Sequence, residues 1–178
     1  VLTACDTLTW IDGITYSASN NTATDTLTNA AGCDSVVTLN LTINTSPTVD
    51  LGTDTILCSG TTIDLDAGSG FTYLWNDATT NQSLTASATG EYSVTITDAN
   101  SCVDSDTINV TLATPLVVTL DSTNITCNGL TDGTATATVT GGTPNYSYLW
   151  NDGQTTATAT NLSAGTYTVS VSDDNNCG

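Results

Sequence analysis

The chain has 178 residues, 18 acidic side chains and no Lys, Arg or His, giving a formal charge of −18 and a pI near 4.1. With no cation to neutralise phosphate, nucleic-acid binding and electrostatic docking on anionic membrane are excluded; with no His or Lys, so are imidazole metal sites, Ser–His–Asp triads and Schiff-base chemistry. Forty-one Thr and 17 Asp, against a charged fraction of only 10%, describe short strands and tight turns rather than an acidic disordered tail.

The first segment, 1–45, carries Cys5, a Trp10-Ile11-Asp12-Gly13 turn and Cys33. Its last run, Val36 to Ile43, alternates like one half-buried strand. Asn44-Thr45-Ser46-Pro47 breaks the pattern, because Pro in a polar stretch makes a stiff, non-helical joint. In the second segment, 46–113, Tyr92, Val94 and Ile96 share one face of a strand, with Ser93, Thr95 and Thr97 on the other. Ala113-Thr114-Pro115 is the second break. In the third segment, 114–178, Thr134 to Thr140 alternates with a small-residue inner face, and Tyr167, Val169 and Val171 repeat the earlier alternation. Asp132-Gly133 and Asp152-Gly153 are turn signals. No segment reads as a helix, and no run approaches the roughly 18 apolar residues that span a bilayer. The start at Val1, without a signal peptide, reads as an interior piece of a longer or processed chain.

The second and third segments are repeats. Tyr73-Leu74-Trp75-Asn76-Asp77 returns as Tyr148-Leu149-Trp150-Asn151-Asp152, and Gly90 to Asp98 returns as Gly165 to Asp173, with Cys102 matching Cys177 in the same frame. Cys58 and Cys127 stand closer than that frame requires, so the third segment carries about six extra residues, around Gly141-Gly142-Thr143-Pro144. None of the six Cys is in a C-x-x-C pair, and six allow about 15 pairings. Pairing within segments predicts Cys5–Cys33, Cys58–Cys102 and Cys127–Cys177, staples for domains too small to bury a large core. Paired cysteines imply an oxidising compartment.

The residues of the third segment resemble a known family. Cys127-Asn128-Gly129, Asp132-Gly133-Thr134-Ala135, Gly141 to Tyr146, Tyr148-Leu149-Trp150, Asp152-Gly153, Leu162 to Tyr167, and Asp173 with Cys177 are similar to the SprB-type repeat of giant surface adhesins of Bacteroidota. The second segment resembles a PKD- or Ig-like surface module, and the first another short repeat of such proteins. The resemblance implies an all-β chain: tandem small Ig-like β-sandwiches in a rod, each with one disulfide. It also implies type IX export, gliding-type surface proteins and no catalytic residues. The third segment lacks a counterpart of Val103 to Leu112, so its last strand is expected from the next stretch of a parent chain or from a neighbouring subunit.

Several residues are candidates for sites. Asp98, Asp104 and Asp106 flank Cys102, Asp173 and Asp174 precede Cys177, and Asp64 and Asp66 alternate on one strand. Such clusters supply oxygen ligands for Ca²⁺, the only cofactor in prospect, although no Asp-x-Asp-x-Asp-Gly loop occurs. The other reading is solvated turn aspartates. Asp-Ser/Thr-apolar triplets place O-glycosylation at Thr7, Thr26, Ser35, Thr55 and Thr107, with Ser122 a looser match; the resemblance to exported proteins of that bacterial group suggests this chemistry. Trp75 and Trp150 are core residues by analogy with sandwich domains, or else platforms for stacking sugars; Tyr92 and Tyr167 look like tyrosine corners. Paired carboxylates can hydrolyse glycosides, but here they sit in turns without cationic support. The sequence therefore reads as a non-enzymatic structural and adhesive segment of a secreted surface adhesin or extracellular filament. Its partners would be neighbouring modules, copies of itself or surface polysaccharide. The alternatives are a carbohydrate-binding accessory module of a secreted enzyme and a strand-exchanged fibre subunit.

Overall fold

A computed structural model describes residues 1–178, and every regular element in it is a strand. The chain forms two compact units: Val1–Thr53 with Asp64–Thr85 and Glu91–Ile108, and Asp54–Ile63 with Ala86–Gly90 and Asn109–Gly178. Their boundaries differ from the two Pro-marked breaks and run through the second segment.

In the first unit, β1 (Leu2–Cys5) runs parallel to β6 (Leu41–Asn44), with Cys5 opposite Asn44. Between them lie the short pair β2 (Leu8–Thr9) and β3 (Thr15–Tyr16) and the hairpin β4 (Thr24–Thr28) with β5 (Asp34–Thr38). The run expected as one strand from Val36 to Ile43 is broken: β5 pairs with β4, β6 pairs with β1, and Leu39 between them is buried. The Trp10–Gly13 turn forms, closed by the Gly13 N–H to Trp10 O bond.

The second segment contributes β7 (Thr55–Leu57), β8 (Ile63–Asp66), β9 (Thr72–Trp75), β10 (Ser83–Ala86), β11 (Gly90–Thr97) and β12 (Val103–Leu112). Their order is β7-β12-β11-β9 in one sheet and β10-β8 in another, with β7 parallel to β12. First strand beside last, and second beside fourth in the opposite sheet, is an immunoglobulin-like sandwich. The alternation read on β11 holds: Val94 and Ile96 are buried and Thr95 is exposed.

In the second unit, β13 (Val117–Thr123), β14 (Gly133–Thr140) and β16 (Thr158–Leu162) form one sheet; β15 (Ser147–Trp150) and β17 (Val169–Ser172) form the other. This is the same sandwich, with its first strand paired to its second. Ala135 and Ala137 face inward as expected and leave room for Trp150, Ala159 and Leu162. Asp152-Gly153 makes its turn, through Gly153 N–H to Trp150 O. Asp132-Gly133 does not: Gly133 opens β14, where a Cβ would stand 3.0 Å from Leu162 O. Glycine is required at Gly141 too, whose φ is 76° and whose Cβ would meet Pro115 O at 2.0 Å.

Candidate functional site

The chemistry that distinguishes this chain is at its cysteines. A five-residue loop recurs three times, and in each a side-chain oxygen four residues before a Cys gathers backbone N–H groups. Asn29 Oδ1 accepts from Ala31 and Cys33 at 2.9 and 3.0 Å. Asp98 Oδ1 accepts from Asn100 and Cys102, both at 2.8 Å. Asp173 Oδ1 accepts from Asn175 and Cys177 at 3.0 and 2.9 Å. The backbone closes each loop identically, Asn29 N–H to Cys33 O, Asp98 N–H to Cys102 O and Asp173 N–H to Cys177 O. A short polar side chain that captures its own downstream backbone stiffens a turn and aims the residue that follows.

The other cysteines open turns beside the first strand of a segment. The carbonyl of Cys58 accepts from Thr61 N–H at 3.0 Å and that of Cys127 from Leu130 N–H at 3.1 Å. Gly60 and Gly129 hold the third position with φ of 81° and 87°, the left-handed conformation a type II turn demands there.

Two disulfides join these two kinds of site. Cys5 bonds Cys102 with Cα atoms 5.6 Å apart, and Cys58 bonds Cys177 at 5.3 Å. Cys33 and Cys127 are free and exposed. The pairs expected within segments, Cys5–Cys33, Cys58–Cys102 and Cys127–Cys177, do not form. Strand register explains the first two. Leu57, next to Cys58, is opposite Leu112 at the end of β12, whereas Cys102 precedes the start of β12. Ten extended residues cover about 33 Å, and bridged Cα atoms lie within about 7 Å. Cys5, opposite Asn44, is likewise separated from Cys33 by the length of β5 and β6. Each bond therefore joins the strand-turn cysteine of one segment to the loop cysteine of the next.

The aspartates serve the backbone. Asp104 accepts from Val49 N–H at 2.8 Å and Asp106 from Leu51 N–H at 2.7 Å, fastening the stretch after Pro47 along β12. Asp173, 3% exposed, also accepts from Thr143 N–H at 2.8 Å through Oδ2. These backbone donors, Thr143 foremost, hold its carboxyl below the ordinary carboxylate range. The extra residues Gly141 to Pro144 thus clamp the loop of Cys177, a role their sequence did not disclose; Asn175 completes it by donating to Thr143 Oγ1 at 2.7 Å. Asp174 contributes only its N–H, to Thr143 O at 3.4 Å. Asp64 accepts from Thr85 Oγ1, and Asp66 from Gly68 N–H and Gln82 Nε2, which lower its pKa, Gln82 foremost. No three carboxylates or thiols converge as metal ligands.

Trp75 and Trp150 are 2% and 1% exposed, and their indole N–H groups donate to Asn81 O and Thr156 O, each at 2.9 Å. They are core residues and present no platform to a sugar. Tyr167 Oη donates back to Ser163 O at 3.3 Å, the tyrosine-corner bond. Of the candidate glycosylation residues, Thr7, Thr26, Ser35, Thr107 and Ser122 are exposed and Thr55 on β7 is half-buried. Strand β17 pairs only with β15, and a groove of about 620 Å³ beside them is lined by Leu116, Val118, Tyr148, Val169 and Gly178.

Residues 119–155 match the family model of the SprB repeat. No curated protein matches the chain. Among solved structures, the eight N-terminal Ig domains of Down Syndrome Cell Adhesion Molecule align at 13% identity with a TM-score of 0.46, over 84% of this chain and 24% of that one. The four N-terminal Ig domains of a Dscam1 isoform align at 14% identity and 0.32, over 82% and 48%. The chain thus spans about a quarter to a half of the length of these structures.

Proposed function

We propose that this chain is a structural, adhesive segment of a secreted surface adhesin or extracellular filament, and that it performs no catalysis. The observation that carries the reading is the covalent tie between successive segments, Cys5–Cys102 and Cys58–Cys177. Each bond closes within one compact unit, makes that unit resist unravelling under load, and presupposes an oxidising, extracellular setting. The SprB-repeat match at 119–155 supports the same setting. It also motivates the finer expectations: export by the type IX system, a place among gliding-type surface proteins, and O-glycans on the exposed Thr7, Thr26, Ser35, Thr107 and Ser122 that solvate a Thr-rich surface.

The test is immunolabelling with antibody raised against the folded chain. Labelling of intact source cells or their shed filaments supports the reading; labelling only after permeabilisation overturns it. The intact mass of native material reads the sugars at the same time, as additions above 18.2 kDa.

A strand-exchanged fibre subunit is a second reading, favoured by the single partner of β17 and the apolar groove beside it. Fibres dissociable into separate chains without peptide cleavage would support it; one continuous polypeptide through the fibre would exclude it. Burial of Trp75 and Trp150 removes the stacking surface that these two indoles would have given a carbohydrate-binding accessory module.

A further inference from the structure

The two bonded pairs follow one rule, and the two free cysteines are its unused halves. In both bonds a cysteine beside a segment's first strand joins the loop cysteine of the following segment. Cys127 is of the first kind: its turn has the Cys58 hydrogen bond and the same left-handed glycine. Cys33 is of the second kind: its loop has the two side-chain-to-backbone bonds and the closing backbone bond of Cys102 and Cys177. All the counterparts of these two residues are bonded in the same molecule, while Cys33 and Cys127 are exposed.

We propose that Cys127 and Cys33 are complementary linking sites, and that Cys127 of one copy of this chain bonds Cys33 of another, continuing the inter-segment rule from copy to copy. In the covalent step, the Cys127 thiolate attacks a sulfur of a small-molecule disulfide, forming a mixed disulfide and releasing one thiol. The Cys33 thiolate of the second copy then attacks the Cys127 sulfur, forming the Cys127–Cys33 bond and releasing the second thiol. Two protein thiols are oxidised, one reagent disulfide is reduced, and the two protons end on the released thiols. The pairing rests on the geometry above and borrows only its oxidising setting from the proposed function. Failure in a defined redox buffer would overturn it and leave the surface reading standing.

The experiment mixes purified Cys33→Ser and Cys127→Ser chains in glutathione disulfide, with enough salt to screen the charge of −18 on each copy. Before mixing, each variant must show the two internal disulfides by mass. The expected result is a several-fold excess of the heterodimer, joined Cys127 to Cys33, over both homodimers together. The unsubstituted chain gives a non-reducing ladder that collapses on reduction. A statistical mixture of dimers, no cross-linking at all, or a Cys33–Cys127 bond closing within one chain would each overturn the proposal. Because the chain has no Lys or Arg, the junction peptide is mapped by cleavage at aspartate rather than by trypsin.

Discussion

Asp173 concentrates more backbone than any other side chain in the second unit, with Thr143, Asn175 and Cys177 all donating to it. Asp173→Ala strands three donors in a buried place and should lower stability by about 1–3 kcal/mol. Asp173→Asn retains one acceptor and should cost less; urea melts of both variants check the order. Because the folded-state pKa is depressed, the stabilisation is complete above the ordinary carboxylate range, and protonation removes it as pH falls through that range and below. Asp6, Asp66, Asp77 and Asp132 are shifted the same way by their own hydrogen bonds, so the melting temperature should fall steadily below about pH 4. Trp150→Ala empties the centre of a core otherwise built of alanines and one leucine, and should cost about 3–5 kcal/mol. Gly141→Ala drives a methyl group into Pro115 O from a left-handed backbone, and thermal melts should show a clear loss.

At the scale of elements, the period-two runs on β11 and β14 were legible, because alternation and burial are the same fact on a half-buried strand. The run from Val36 to Ile43 was not legible as two strands, because alternation does not say where a strand changes partner. The cysteine pairing was hidden for a related reason. Residues near in sequence invite pairing, yet only the parallel register of β1 with β6 and β7 with β12 reveals that the two cysteines of each of the first two segments stand at opposite ends of a strand. The repeat frame that aligned Cys102 with Cys177 was sound. Each of these equivalent cysteines bonds a cysteine one segment back, Cys5 and Cys58. Of the candidate calcium aspartates, Asp98, Asp104, Asp106 and Asp173 each accept from backbone N–H groups, a role that adjacency in sequence does not reveal.

For the whole molecule, the two disulfides interlock: one joins residues 97 apart and the other residues 119 apart, and the intervals overlap between Cys58 and Cys102. Loop-closure entropy gives each a ceiling near 5 kcal/mol, so Cys58→Ser should lower the denaturation midpoint more than any surface substitution. Overlap also fixes how far the chain can be drawn out. The shortest covalent path between the ends follows only the stretch from Cys102 back to Cys58, about 45 residues or roughly 160 Å. The reduced chain would extend to roughly 600 Å. Pulling on single molecules with and without reductant measures that difference; equal extensions would mean that these bonds do not form.

The same interlocking decides what a protease can achieve. A single cut anywhere between Cys5 and Cys177 leaves two pieces that are still one molecule, and a cut between Cys58 and Cys102 leaves them joined twice. Staples confined to each segment would have let go at a single cut in either Pro-marked break. Trypsin-like enzymes find no site at all in a chain without Lys or Arg. An enzyme of another specificity must strike at least twice before any substantial part of the chain is shed.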